Sequence, residues 1–253
     1  MTAFREELVA WLTQHVTPDV SQGGHRPVTA DNLPMMRDWN RQLADAGWAA
    51  PAWPARHGGR DADIDEQLAY LEEMARADAP GPINSIGVSN IAPAIMAYGT
   101  ADQQERFLRP LLRGDEIWSQ GMSEPDAGSD LASLRTAAVR DGDDFVLNGQ
   151  KVWTTFGPWA DWIFVLARTD GKDRYGGISF ILCKLDTPGI TVRPLRQITG
   201  ESEFGEVFFE DARVPRENLV GQVGEGWRIA MTVLGYERGV GSLANSARYG
   251  RDL

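Results

Sequence analysis

A chain of 253 residues with 42% hydrophobic and 24% charged residues is long enough to bury a sizeable core and to form one or two domains. Its net charge of −11 argues against a nucleic-acid or anionic-membrane partner, because such surfaces need clustered cations. The one cysteine, Cys183, cannot close an internal disulfide, which fits a reducing, cytoplasmic setting; its place in Gly-Ile-Ser-Phe-Ile-Leu-Cys-Lys reads as a core thiol and not a nucleophile.

Taken in chain order, Phe4, Leu8, Trp11 and Leu12 follow the helical period from Thr2 to His15. Gly23, Gly24 and Pro27 break the chain. A second helix is expected from an Asp31 or Asn32 cap with Pro34 in its first turn, burying Leu33, Met36, Trp39 and Leu43 and ending at Gly47. Trp48 to Arg60 is a loop, its His57-Gly58-Gly59 read as structural. A third helix, Ile64 to Ala77, offers Ile64, Leu68, Leu71 and Ala75 on one face, and another runs through Ile91, Ile95 and Tyr98. Thr100 and Gln103 make a capping box for a helix through Phe107 and Leu111 that Gly114 closes. These elements predict an antiparallel helical bundle over the first 114 residues.

From Ile117 to Val214 the pattern changes to short runs rich in Val, Ile, Phe, Trp and Thr. Strands are expected at Ile117 to Met122, Leu134 to Val139, Phe145 to Leu147, Val152 to Thr155, Trp162 to Ala167, Gly177 to Lys184, Ile190 to Arg193 and Glu206 to Glu210, with Asn148-Gly149 as a hairpin turn. No crossover helices separate them, so the expectation is an antiparallel barrel or sandwich. After Gly221 the helical period returns, with Trp227, Ala230, Met231, Leu234, Gly241 and Ala244 along one stripe. The fold class is α+β: a helical bundle over 1–115, a β domain over 116–221, and the first helix of a further helical domain over 222–253. The N-terminus reads as neither leader peptide nor membrane span.

Two segments resist explanation as packing. Met122 to Asp130, Met-Ser-Glu-Pro-Asp-Ala-Gly-Ser-Asp, follows a strand with turn residues, acids and hydroxyls; its composition is that of an exposed loop whose backbone N–H groups and hydroxyls can grip an anionic ligand. Gly149 to Gly157, Gly-Gln-Lys-Val-Trp-Thr-Thr-Phe-Gly, sets a tryptophan and two threonines after a glycine. His15, His25 and His57 are scattered, so no metal is expected. Gly221, Gly224 and Gly226 lack both the spacing and the βαβ surroundings of a dinucleotide fingerprint.

The two segments together resemble the acyl-CoA dehydrogenase family, in which Ser/Thr-Glu-Pro-x-Ala-Gly-Ser-Asp and Asn-Gly-x-Lys-x-Trp-x-Thr hold FAD. The likeness extends from Phe4 to Tyr249, including Arg196 to Phe204 and Val214 to Gly221. It implies α,β-dehydrogenation of an acyl-CoA thioester, with electron-transfer flavoprotein as electron acceptor and a homo- or hetero-oligomeric assembly. Ser123 and Thr155 match hydroxyls at the isoalloxazine edge, Trp153 the indole against the ring system, and Gly128 and Ser129 the loop at the diphosphate. Thr154 joins that cofactor-binding set, Gln120 and Met122 enter it through main chain, and Ser129 also matches a substrate contact. Departures are Ser123 for the commoner Thr, Asp126 for Gly and Gln120 for an aromatic.

Glu237 falls seven residues after Ala230 and three after Leu234, placing a carboxylate on a core-facing stripe. A pairing with Arg238 or Arg228 at the helix surface would explain it structurally. The resemblance instead matches Tyr236-Glu237-Arg238 to the catalytic Glu-Arg pair of some members, with Glu237 as the base that takes the α-proton and Arg238 near the substrate. The same architecture also serves flavin oxidases and monooxygenases. Members continue into a C-terminal helical bundle absent from this sequence, so a truncated or non-catalytic subunit that holds FAD weakly is a third expectation.

Overall fold

The computed structural model describes residues 2–21, 28–170 and 173–237. The helical layer holds α1 (Ala3–His15), α2 (Leu33–Asp45), α3 (Ile64–Arg76), α4 (Ala92–Tyr98) and α5 (Ala101–Arg113). Their starts are written in side chains: Thr2 accepts from Arg5 N, and the pairs Asp63/Glu66 and Thr100/Gln103 form reciprocal capping boxes. Leu8, Trp39, Leu43 and Trp48 are fully buried, each such side chain contributing about 1.5–3 kcal/mol. Gly59 is dictated by contact, since a Cβ there would lie 2.0 Å from the Trp53 carbonyl oxygen. A π-helical turn, Gly87–Ile91, leads into α4.

The buried face of α3 agrees with the expected one only in its last two turns. Ala75 is buried and Leu71 packs on the core as expected, but Tyr70 and Met74 are buried too, whereas Ile64 and Leu68 are exposed. The helix carries two apolar sets at helical spacing, and the one that meets α1 wins.

The β layer comprises β1 (Trp118–Gly121), β2 (Ala137–Asp141), β3 (Asp144–Thr155), β4 (Trp162–Arg168), β5 (Ile178–Lys184), β6 (Ile190–Leu195), β7 (Phe204–Pro215) and β8 (Leu219–Val220). Its order is β6-β7-β3-β2-β4-β5-β8, with β1 also on β4. Most pairings are antiparallel, but β1 and β2 both run parallel to β4, a departure from the all-antiparallel expectation. They lie end to end on one edge of β4, at Trp162 to Val165 and at Arg168. The segment between them therefore leaves the sheet as a loop.

Strand β4 is buried on both faces, which accounts for its unbroken run Trp-Ile-Phe-Val-Leu-Ala. Phe164 and Leu166 join the helical core, while Ile163, Val165 and Ala167 pack with Phe145, Leu147, Val207 and Phe209 in a second core within the β layer. Cys183 is buried in that second core, where burial pushes its thiol well above the usual range.

The Asn148-Gly149 hairpin is not formed. β3 runs straight through, paired along its length with β7, and the actual turn to β2 lies at Gly142 and Asp143. Gly149 serves a bulge: the register shifts between Leu147 and Gly149, and a Cβ there would meet Thr136 Cα at 2.7 Å. Helix α6 (Gly226–Glu237) packs on β5 and on α4. Its buried positions are Ile229, Ala230 and Val233, and Met231, expected in the stripe, is exposed. Gly241 and Ala244 lie outside the described residues.

Candidate functional site

The two singled-out segments meet. Lys151, on β3, is fully buried and its Nζ donates to Met122 O at 2.9 Å and to Glu124 Oε1 at 2.8 Å. Glu124 also accepts from Arg135 N at 2.6 Å and Thr136 N at 2.9 Å, so one carboxylate closes both feet of the loop between β1 and β2. The expected exposed loop is found at Pro125, Asp126 and Gly128 to Asp130, while Met122, Glu124 and Ala127 are buried. The sequence reading gave Lys151 and Glu124 no role; the signal was a lysine and a glutamate inside two otherwise ligand-like segments.

Burial raises the Glu124 carboxyl, but Lys151 and the hydrogen bonds outweigh it and hold the group below the usual carboxylate range. Burial pulls Lys151 down to about 8 against the attraction of Glu124. Both groups are thus ionised at neutral pH, and the pair acts as a dry rivet between the segments.

The rivet leaves one open edge. Val152 N donates to Ser123 O at 2.9 Å and Ser119 Oγ donates to Thr155 O at 2.7 Å, bringing β1 alongside β3. There β3 shifts register against β7 between Lys151 and Thr154, and Trp153 takes φ 59°. That left-handed backbone is strained by about 1–3 kcal/mol in a bulky residue. The bulge turns Trp153 out, leaving it 60% exposed with Phe204 edge-on at 6.2 Å.

Ser123, Thr155 and Gln120 are half-buried, and Gly128 and Ser129 are exposed on the loop. Thr154 points the other way: it is buried, and its hydroxyl donates to Gly205 O at 2.9 Å. Glu237 is the last residue of α6, on the helix face that carries buried Ala230 and Val233. Its side chain, like the whole of Arg238, lies outside the described residues.

The half-buried hydroxyls of Ser123 and Thr155, the exposed indole of Trp153 and the exposed Gly128 and Ser129 are groups that could hold a flat ring and a diphosphate. A Cβ added to Gly128 would meet nothing within 4 Å, so the folded chain does not itself require glycine there, and the space is free for a ligand's approach. A cleft of about 730 Å³, lined among others by Arg106, Trp162, Lys184 and Arg216, shares no residue with either segment.

Comparison with known proteins gives the family. The family described as acyl-CoA dehydrogenase, N-terminal domain, matches residues 1–115, and that described as acyl-CoA dehydrogenase, middle domain, matches residues 119–212. The chain belongs to the acyl-CoA dehydrogenase family. Within the acyl-CoA dehydrogenases, it is 44% identical to acyl-CoA dehydrogenase IpdE1 of Mycolicibacterium smegmatis, over 98% of this chain and 67% of that protein. The solved Tcur3481-Tcur3483 steroid ACAD superposes with TM-score 0.84 at 34% identity, over 98% of this chain and 63% of that one. A chain of the ChsE4-ChsE5 complex from Mycobacterium tuberculosis gives TM-score 0.77 at 35% identity, over 92% and 58%. The chain thus spans about three fifths to two thirds of the length of these acyl-CoA dehydrogenases.

Proposed function

We propose that this acyl-CoA dehydrogenase family member takes part in FAD-dependent α,β-dehydrogenation of an acyl-CoA thioester, with 1–115, 116–221 and 222–253 as its three parts. The observation that carries the reading is the rivet: a buried Lys151–Glu124 pair joins the loop that bears Ser123, Gly128 and Ser129 to the strand that bears Trp153 and Thr155. When bound, FAD supplies the acceptor for the β-hydrogen as hydride.

The chain's residues do the rest. Ser123 and Thr155 would hydrogen-bond the ring edge, and Trp153 would cover the ring system and keep water from it. Gly128 and Ser129 would let backbone N–H groups reach the diphosphate. Glu237 would take the α-proton; a carboxylate shielded from water has its affinity for protons raised toward neutrality, as a general base for so weak an acid requires. Arg238 and Ser129 would lie near the substrate. Electron-transfer flavoprotein as acceptor and an assembly with like or unlike chains complete the reading, the latter supported by the ChsE4-ChsE5 complex among the relatives.

The test is anaerobic titration of the FAD-loaded protein with acyl-CoA thioesters while flavin absorbance is followed. Wild type should bleach, and Glu237→Gln should keep its flavin but not bleach. Equal bleaching by both would remove Glu237 from the role, and a chain that takes up no flavin would remove the whole reading.

A further inference from the structure

Strand β1 ends at Gly121, so the carbonyls of Met122 and Ser123 lie beyond its ladder and need partners elsewhere. Both find them on β3. Met122 O accepts from Lys151 Nζ at 2.9 Å, and Ser123 O accepts from Val152 N at 2.9 Å. A peptide unit is planar and trans, so its N–H points opposite to its C=O. Turning the Met122 carbonyl onto the buried ammonium therefore turns Ser123 N away from it. Among the described residues Ser123 N makes no hydrogen bond, and Ser123 is only half-buried.

Charge balance alone does not account for this arrangement. Glu124 Oε1, at 2.8 Å, supplies the counter-charge of Lys151, and the same carboxylate spends its remaining bonds on Arg135 N and Thr136 N at the far foot of the loop. The bond to Met122 O is a second use of the ammonium, made to a neutral group where the loop begins. The lysine stem runs close beside Gly121, where an added Cβ would lie 3.3 Å from Lys151 Cγ. Through Glu124 the side chain closes the loop, and through Met122 O it fixes the direction of one unspent donor.

We propose that Lys151 is a positioning residue for the flavin: through Met122 O it aims Ser123 N–H at the polar edge of the ring system, where a fixed donor favours the more electron-rich, reduced form. This rests on the FAD reading above. A backbone donor held by a buried bond needs no reorientation as charge builds up on its acceptor, whereas a hydroxyl such as that of Ser123 rotates.

The test compares wild type, Glu124→Gln and the double variant Lys151→Met/Glu124→Gln, each loaded with FAD. Glu124→Gln keeps a donor on Met122 O whether the amine is charged or neutral; the double variant removes that donor and leaves no lone buried charge, so it tolerates the loss of Lys151 better than Lys151→Met alone. FAD affinity is read by fluorescence titration and the midpoint potential of the bound flavin by dye-coupled reduction. Glu124→Gln should keep the wild-type potential. In the double variant the preference for reduced over oxidised flavin should fall about tenfold, which lowers a two-electron potential by about 30 mV. A purely structural lysine would weaken the hold on both forms alike and leave the potential where it was. An unchanged potential in the double variant overturns the proposal, as does an equal drop in Glu124→Gln. Where Glu124→Gln fails to fold, the potential of the double variant against wild type decides alone. Wild type that takes up no FAD overturns the FAD reading and this inference with it.

Discussion

Lys151 carries more of the site's geometry than any residue expected to touch a ligand. Its removal as Lys151→Met leaves the Glu124 carboxylate buried without its counter-charge, and urea unfolding should show a loss of about 3–5 kcal/mol. The double variant with Glu124→Gln should recover part of that loss, because no lone charge then remains. Acid acts on the same group. The folded carboxyl of Glu124 lies below its ordinary value of 4.5, so its contribution is present above that pH and is lost as pH falls through the folded value. Urea midpoints taken across that range should fall more steeply for wild type than for Glu124→Gln. Ser123, Thr155, Trp153 and Gly128 were singled out from the sequence as a candidate site because motif chemistry is local. The rivet was not, since its partners are 27 residues apart and nothing local says that a lysine is dry.

At the scale of elements, caps were easy to read and buried faces were not. Thr100 with Gln103 is a signature four residues long, and Thr100→Ala should lower stability by about 1 kcal/mol, read as a shift in urea midpoint. The bulge in β3 was hidden: Trp153 looks like any strand tryptophan until the register shift and its φ of 59° turn it outward. Because it is mostly exposed, Trp153→Ala should leave stability within about 0.5 kcal/mol of wild type while FAD affinity falls severalfold or more. Fluorescence titration with FAD beside a thermal melt separates the two effects. Gly149 was misread for a related reason. A glycine after asparagine between apolar runs marks a turn by composition, but here it answers to the approach of Thr136 from β2. Parallel pairing of β1 and β2 with β4 depends on where distant strands dock, which short-range pattern does not encode.

Over the whole molecule, the division into helical and β layers was plain from the change of period near residue 115, yet the layers are not energetically separate. One core runs from Leu8 and Trp39 through Phe107 and Trp118 to Phe164, Phe180 and Val233. Asn84 ties the carbonyls of Leu111 and Glu116 to Trp118 N, and Gln103 donates to the carbonyls of Glu217 and Leu219, stitching the N-terminus of α5 to the end of the β layer. Far-ultraviolet circular dichroism at the helical band and tryptophan fluorescence should therefore report one coincident transition in urea. Two separated midpoints would show that the layers unfold independently. Among the described residues no helix is long and apolar enough to cross a membrane.

The collinear seating of β1 and β2 on β4 bears on how such a site can change. Both ends of the loop are clamped to a single strand sealed on its two faces, so the distance between them stays fixed whatever residues lie between. Substitutions there can re-aim the chemistry while every rung of the ladder keeps its place, and the scaffold tolerates novelty where it is useful.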